Sequence, residues 1–163
     1  MLTSIYFPAA MSLPELIASP DVLVLDLDVV SGDEAIRALH HRLRAATPDV
    51  KNADQFLRDL LERAALASVC IADEVALPHA RTLAVDRIVL AVARTAAPVA
   101  FDPAHPKVRL VFLVGTPKEA VGEYLQLVAA LSRLLKNKET RAALLAAPAE
   151  DEFRAILARA LQR

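Results

Sequence analysis

The chain has 163 residues, of which 55% are hydrophobic, and a formal net charge of −1. This length suits one domain with a substantial core, and the nearly neutral charge provides no basic face for nucleic acid. The single cysteine, Cys70, excludes an intramolecular disulfide framework and a cysteine-rich zinc site, and it favours a reducing compartment. The first twenty residues do not resemble a signal peptide, and no unbroken apolar run approaches the roughly 18 residues of a membrane helix. We therefore expect one cytoplasmic domain over residues 1–163, without membrane insertion.

The first half of the chain predicts a strand followed by two helices. Residues 22–27, VLVLDL, favour the strand, and Ser31 with Glu34 three residues later resembles a capping box that begins the first helix. A second helix is predicted from Asn52, with Gln55 three residues on. The apolar residues expected on the buried faces are Ile36, Leu39 and Leu43 in the first helix and Phe56, Leu57, Leu60, Leu61 and Ala64 in the second.

The middle of the chain contains three apolar runs of strand length. They cover residues 75–78, 87–94 and 108–114. Their nearly continuous apolar character is typical of strands that are covered on both faces. The sequence therefore predicts an α/β fold, a mixed β-sheet flanked by helices.

The last third of the chain is predicted to be helical. Thr116, Pro117 and Glu119 have the pattern of an N-cap, a first-turn proline and a capping glutamate, although Gly122 could delay the regular helix. The buried stripe of this long helix is expected to contain Val121, Leu125, Val128, Leu131 and Leu135. Two shorter helices, over residues 138–146 and 149–161, are separated by Pro148.

His79 has the most specific setting among the candidate functional residues. Pro78 has a restricted φ and biases the residue before it towards extended backbone, so the pair leaves a strand along a defined path. If a backbone carbonyl accepts a hydrogen bond from Nδ1 of the ring, Nε2 is left as a nucleophile at neutral pH. An isolated histidine is more often a surface or core residue, but no serine or cysteine has a comparable setting and no HExxH pattern indicates zinc.

Residues 60–87, LLERAALASVCIADEVALPHARTLAVDR, resemble the signature region of the enzyme IIA domains of the fructose and mannitol class. These domains belong to the bacterial phosphoenolpyruvate-dependent sugar phosphotransferase system and include nitrogen-regulatory relatives. Residues 108–153 resemble the later strand, long helix and C-terminal helices of the same family. The positions in register with the family pattern are Glu62, Arg63, Leu66, Ser68, Ile71, Ala76, Pro78, His79 and Arg81.

The resemblance implies a phosphoryl relay without a cofactor or a metal. By this likeness His79 accepts phosphate on Nε2 from the carrier HPr, and the partner that receives it is a IIB domain or a regulated protein. Arg63 matches an arginine that stabilises phosphate, with a solvated helix arginine as the alternative. Ser68 matches a hydroxyl that hydrogen-bonds the ring or the phosphate, or caps a helix or turn. Arg81 is either a further phosphate ligand or, more simply, an exposed loop residue.

The chain departs from the family pattern near the predicted phosphate. Glycines of the family are replaced at five positions, which predicts a reshaped loop: Ala67, Cys70, Ala72, Glu74 and Ala80. The carboxylates of Asp73 and Glu74 either repel the phosphate or point to solvent. Many members have a second histidine early in the long helix, where this chain has Tyr124 between Glu123 and Leu125. A tyrosine stays neutral at ordinary pH, so slower transfer is expected unless Tyr124 simply packs in the helix interface.

The remaining histidines and Cys70 receive structural interpretations. His40 and His41 are expected to be solvated near a helix C-terminus, His105 lies in a loop bounded by prolines without metal partners at useful spacing, and Cys70 is expected to be a small buried residue. Two alternatives to an active relay remain open, a diverged regulatory binding module and an oligomerisation unit. The absence of attached IIB or IIC sequence favours a regulatory protein.

Overall fold

The structure, a computed structural model, describes residues 12–162 and contains a six-stranded sheet with helices on both faces. The strands are β1 Val22–Leu27, β2 Cys70–Ala72, β3 Val75–Ala76, β4 His79–Thr82, β5 Val89–Val99 and β6 Val108–Pro117. The helices are α1 Leu13–Ala18, α2 Gly32–Ala46, α3 Ala53–Leu66, α4 Val121–Lys136, α5 Lys138–Ala146 and α6 Glu150–Ala160. Among these described helices, none is both long and apolar enough to cross a membrane.

The sheet has mixed topology, with strand order β1-β5-β6-β3-β2. Strand β5 pairs with β1 in parallel and with β6 in antiparallel orientation. Both β3 and β4 lie parallel to β6, one after the other along its edge, and β2 pairs antiparallel with β3. The predicted α/β class with a mixed sheet flanked by helices is confirmed.

The central strands are buried on both faces, as their apolar runs predict. In β5, Val89 and Ala91 face the core beneath α2 and α3, while Leu90 and Val92 face the core beneath α1 and α4–α6. The two sets alternate because successive side chains of a strand point to opposite faces of the sheet. A nearly continuous apolar sequence is thus the expected signature of this layer.

Both predicted helix starts in the first half are confirmed by their caps. The side-chain oxygen of Ser31 accepts a hydrogen bond from the Glu34 amide at 3.1 Å, and that of Asn52 accepts one from the Gln55 amide at 3.1 Å. These bonds satisfy backbone donors that have no partner within the helix. The predicted core residues Leu39 of α2 and Phe56 and Leu60 of α3, among others, are buried.

Helix α3 is held against β4 and β6 by a hydrogen bond and by close packing. Thr82 Oγ1 donates to the Asp59 carboxylate at 2.7 Å. A Cβ on Gly115 of β6 would stand 2.5 Å from the Phe56 ring, so the glycine is what lets this helix approach the sheet. The approach brings the C-terminal half of α3 alongside the start of β4.

The predicted start of the long helix is wrong. Thr116 and Pro117 belong to β6 and pair with Arg81 and Thr82 of β4, and α4 begins only at Val121 without a side-chain cap. The capping pattern is overridden because Thr116 is fully buried in the sheet, where strand pairing satisfies its backbone.

The predicted buried stripe of the long helix is only partly right. Leu131 and Leu135 are buried as expected, but Val121 is 41% exposed and Leu125 is 59% exposed. Only the part of α4 from Leu127 onward lies over the core, where Leu127 and Leu134 complete the stripe. The beginning of the helix places Tyr124 beside His79 of β4 and leaves Val121 and Leu125 open to solvent.

The prediction of a solvated His40 is also wrong. Its side chain is buried in α2, where Nε2–H donates to the Ala53 carbonyl at 2.7 Å and the ring lies 5.7 Å from that of Phe56. Burial lowers the pKa of His40, partly offset by the Ala53 bond, and the Arg44 charge lowers it further. The neighbouring His41 is exposed as expected.

We expect the protein to lose stability as the pH falls below 6.5, the ordinary pKa of histidine. In that range the unfolded chain binds a proton that the folded His40 resists until the pH reaches its lowered pKa, so the free energy of unfolding decreases. His40→Gln keeps a donor for Ala53 but does not titrate, and should flatten this dependence. Urea unfolding at pH 7.5, 6.5 and 5.5 measures the slopes, with His41→Gln as the matched control. Equal slopes for His40→Gln and the unmodified chain would contradict the prediction.

Candidate functional site

His79 lies where one edge of β6 changes from one strand partner to the next. The predicted strand over residues 75–78 is wrong in its bounds, because pairing stops at Ala76 and resumes with β4 at His79. Pro78 has no N–H to donate to the sheet, while its carbonyl accepts from the Val114 amide at 2.9 Å. His79 therefore begins β4 directly after an interruption that its own sequence creates.

The His79 ring is oriented by a hydrogen bond to the backbone. Nδ1 lies 2.8 Å from the Leu77 carbonyl oxygen, and because a carbonyl only accepts, Nδ1–H is the donor. Burial lowers the pKa of His79, the Leu77 bond partly offsets this, and the nearby Arg63 charge lowers it further. The ring is consequently neutral at pH 7, with the lone pair on Nε2.

His79 lines an open cavity of about 400 Å³ between α3, β4 and the start of α4. Its lining includes three cationic side chains, Arg63, Arg81 and Lys118, and two carboxylates, Asp59 and Glu62. The Asp59 carboxylate is bound by Gln55 Nε2 and Thr82 Oγ1 at 2.8 and 2.7 Å, so it already has donors. The cavity thus combines a neutral imidazole with an excess of positive charge.

Both arginines of the cavity are anchored by backbone carbonyls. Arg63 Nη1 donates to Ala67 at the end of α3 at 3.0 Å, and Arg81 Nη2 donates to Lys118 at 3.3 Å. Each guanidinium has five N–H donors, so one such bond leaves others for an anion. The structure brings both predicted arginines to the His79 cavity.

Tyr124, which the resemblance matches to a second histidine of the family, stands beside His79. The two ring centroids are 5.7 Å apart, with an interplanar angle of 37°. Tyr124 is half-buried and lines the same cavity, which places a phenol where an imidazole could otherwise stand.

The hydroxyl of Ser68 is hydrogen-bonded to Asp102 and Cys70 and not to His79. Its hydroxyl donates to Asp102 Oδ2 at 2.8 Å and accepts from the Cys70 amide at 3.1 Å. Within the described residues, Ser68 is not among those that line the His79 cavity. Its contacts are those of a residue that joins β2 to the loop after β5.

The replaced glycine positions adopt ordinary backbone conformations. In residues 12–162 the only non-glycine residue with positive φ is Asp26, far from this segment in sequence. The five replacements in residues 67–80 therefore create no left-handed strain. Asp73 and Glu74 occupy the turn between β2 and β3. Neither is among the described residues that line the His79 cavity.

Sequence reasoning missed Lys118 and Asp59 as members of the site. Lys118 follows β6 and reaches the cavity because β4 and β6 run parallel up to Pro117. Asp59 is brought there by the packing of α3. Neither residue has a spacing from His79 that could have marked it.

Cys70 departs from its predicted burial, and it lies near His105 in the fold. Cys70 is half-buried, and burial together with the Asp102 charge raises the pKa of its thiol to about 11. The prediction for His105 concerned the absence of metal partners at useful spacing along the sequence; in the fold, Cys70 and Asp102 lie beside it.

Known proteins resemble this chain over most of its length. A family profile described as the phosphoenolpyruvate-dependent sugar phosphotransferase system, EIIA 2, matches residues 16–160. The chain is 33% identical over 136 residues to the 2-O-alpha-mannosyl-D-glycerate-specific EIIABC component of Escherichia coli K12, covering 82% of this chain and 20% of that protein. It is 32% identical over 114 residues to the fructose-specific EIIA component of Haloferax volcanii, covering 69% and 74%. The chain therefore spans about a fifth of the first relative and three quarters of the second.

Solved structures show the same fold. The nitrogen regulatory protein IIA-Ntr from Neisseria meningitidis matches with a TM-score of 0.76 and 29% identity, over 84% of this chain and 93% of that chain. IIA mannitol from E. coli matches with a TM-score of 0.72 and 20% identity, over 84% and 96%, a likeness of fold alone. With the family profile covering residues 16–160, the chain belongs to the EIIA type 2 family of the phosphoenolpyruvate-dependent sugar phosphotransferase system.

Proposed function

We propose that His79 accepts a phosphoryl group on Nε2 from the phosphohistidine of an HPr-type carrier. The observation that carries this proposal is the 2.8 Å bond from Nδ1–H to Leu77, which leaves the Nε2 lone pair free in a ring of lowered pKa. In the transfer, the P–N bond of the donor breaks, its electron pair returns to the donor ring, and a new P–N bond forms at His79. The group then passes to a IIB-type partner or remains as a regulatory mark.

The charges of the cavity suit a transferring phosphoryl group. Such a group requires positioning and electrostatic stabilisation more than covalent assistance. Arg63 and Arg81 supply donors for its oxygens and Lys118 supplies a third positive charge, while Asp59 is occupied by its own partners. Arg63 is assigned the main stabilising role because its charge already acts on the His79 ring.

An apolar rim for docking lies around the same cavity. We define this rim as Leu66, which is 82% exposed and lines the cavity, with Val121 and Leu125 of α4, which are 41% and 59% exposed. A donor imidazole must come within bonding distance of His79, so the two proteins need a contact surface here. A small, transient interface fits a relay in which the partners must separate again.

A regulatory role is favoured over sugar flux by the residue beside His79. Tyr124 replaces an imidazole that could carry positive charge, and a neutral phenol stabilises phosphate less. Slow transfer is tolerable for a phosphorylation mark and costly for a transport pathway. We therefore propose that the chain has a regulatory role of the nitrogen-regulatory type.

Incubation of the purified chain with phosphoenolpyruvate, enzyme I and HPr tests the proposal directly. Enzyme I and HPr are taken from both the sugar and the nitrogen branches. We expect one phosphoryl group per chain by intact mass, stable at alkaline pH and lost in acid, with faster uptake from the nitrogen-branch donor. His41→Gln is the control and should be phosphorylated like the unmodified chain, because His41 is exposed and lies on α2. A folded chain that takes up no phosphate from either donor would contradict the proposal and favour the diverged binding module.

Tyr124→His is expected to accelerate phosphoryl uptake. A charge-assisted hydrogen bond is about twice as strong as a neutral one, which corresponds to an increase of roughly fivefold to tenfold in rate. Tyr124→Phe removes only the hydroxyl and should react at or slightly below the original rate. Single-turnover transfer from phosphorylated HPr measures both variants. An unchanged or slower rate in folded Tyr124→His would assign Tyr124 to packing only.

A further inference from the structure

We propose that Cys70, Asp102 and His105 form a binding site for a divalent cation of the zinc class. A ring nitrogen of His105, the Cys70 sulfur and a carboxylate oxygen of Asp102 lie within 4.8 Å of one another. All three residues are half-buried, so a cation can enter from solvent. The site lies apart from the His79 cavity, and the inference does not depend on the proposed phosphoryl transfer.

The loop between β5 and β6 holds two of the ligands in a defined arrangement. Asp102 and His105 form an isolated antiparallel bridge, with His105 N–H donating to the Asp102 carbonyl at 3.0 Å. Phe101 N–H donates to the His105 carbonyl at 3.1 Å, and Ala104 N–H donates to Asp102 Oδ1 at 2.9 Å. Four backbone-anchored residues thus place a carboxylate and an imidazole side by side before any cation arrives.

Ser68 connects this loop to the third ligand. Its hydroxyl donates to Asp102 Oδ2 at 2.8 Å, and its oxygen accepts from the Cys70 amide at 3.1 Å. Ser68 is therefore a positioning residue, because it orients the carboxylate of one ligand and the backbone of another. Such outer partners commonly determine the affinity of a metal site.

The ligand atoms and their spacing favour zinc over calcium or magnesium. Thiolate and imidazole suit zinc, whereas the hard cations require oxygen ligands. Ligands about 2.0–2.3 Å from a tetrahedral zinc ion stand roughly 3.3–3.7 Å apart. Nδ1 of His105 and Oδ1 of Asp102 are 2.8 Å apart, so they would separate by less than about 1 Å.

Binding at this site follows a simple proton balance. Zinc replaces the Cys70 thiol proton, which passes to solvent, and it takes a nitrogen lone pair of His105. Nδ1 of His105 loses to solvent the proton that it donates to Asp102 in the metal-free chain, and Nε2 takes up one proton from solvent, so the imidazole stays neutral and Nδ1 has a lone pair for zinc. Three protein ligands and a solvent molecule then complete four-coordination.

The cysteine that completes the site replaces a glycine of the family pattern. A glycine at position 70 has no sulfur to offer a cation, so the likeness to other members of the family does not predict a cation site at this place. The cluster is also invisible to motif searches, because 31 residues separate Cys70 from Asp102 in the sequence.

Cobalt(II) titration of the purified full chain tests the proposal. We expect one cobalt per chain, a near-ultraviolet thiolate-to-cobalt charge-transfer band, and loss of that band when zinc is added. Cys70→Ser should abolish the band, and His105→Asn and Ser68→Ala should each weaken cobalt binding by about tenfold or more. His41→Asn, an exposed histidine on α2, is the matched control and should bind cobalt unchanged.

Thermal unfolding with zinc gives a second measurement that does not depend on the band. Saturating zinc should raise the unfolding temperature of the unmodified chain by about 5 °C or more and leave that of Cys70→Ser unchanged. Circular dichroism of metal-free Cys70→Ser and metal-free His105→Asn shows whether each variant folds. If Cys70→Ser does not fold, the unfolding temperature of His105→Asn with and without zinc is measured instead. Absence of the thiolate band, or equal affinity in folded His105→Asn, would overturn the proposal.

Discussion

His79→Gln is expected to take up no phosphoryl group from any HPr-type donor. Glutamine can still donate a hydrogen bond to the Leu77 carbonyl, but its amide nitrogen has no basic lone pair with which to attack phosphorus. The loss should be complete, because no other described residue offers a neutral imidazole in this cavity. Intact mass after incubation with phosphoenolpyruvate, enzyme I and HPr measures the uptake.

Two controls separate this result from a folding defect. His79→Gln should keep the circular dichroism spectrum of the unmodified chain, since His79 is only half-buried at the beginning of β4. His41→Gln should still accept one phosphoryl group. Phosphorylation of folded His79→Gln to the level of this control would remove His79 from the proposed relay.

Arg63→Ala should lower the rate of phosphoryl acceptance by about 100-fold. Hydrogen bonds to charged groups are worth roughly 1.5–3 kcal/mol, and each 1.36 kcal/mol corresponds to about a tenfold change in rate. Arg63→Lys keeps the charge but not the planar donor group, so it should recover only part of this loss. Single-turnover rates at several concentrations of phosphorylated HPr separate weaker docking from slower transfer, and we expect the transfer step to be affected.

Arg58→Ala is the matched control for Arg63. Arg58 lies on the same helix, is exposed and contacts Gln55 at 2.8 Å, and it is not among the described residues of the His79 cavity. Its removal should leave the rate within about twofold, as a change in a screened surface charge. If Arg58→Ala and Arg63→Ala lowered the transfer rate equally, Arg63 would act only through the total positive charge of α3 and not through contact with the phosphoryl group.

His79 is the part of the site that could be predicted most directly from the sequence. The Pro78–His79 pair defines both the break in pairing along β6 and the bond from Nδ1 to Leu77, which involves residues only two apart. Local interactions of this kind are readable because the participating atoms are neighbours in the chain. The caps at Ser31 and Asn52 were predictable for the same reason.

Where the predictions were wrong, a distant contact outweighed a local pattern. Thr116 has the sequence of a helix cap but is paired with β4, and His40 has the sequence of a solvated helix end but is buried near Phe56 and Ala53. Val121 and Leu125 have helical apolar spacing, yet the first turns of α4 extend beyond the core.

The α/β class was predictable from the periodicity of apolar residues, and a contiguous motif indicated the family and made His79 the candidate phosphoryl acceptor. The charges that surround His79, and the contact of Cys70 with Asp102 and His105, become visible only in the folded chain. Both groups join segments that are far apart in the chain. At the His79 cavity the proximity arises from the parallel pairing of β4 with β6 and from the packing of α3, and at Cys70 the hydrogen bond from Ser68 to Asp102 joins the two segments. No spacing along a single sequence specifies these contacts.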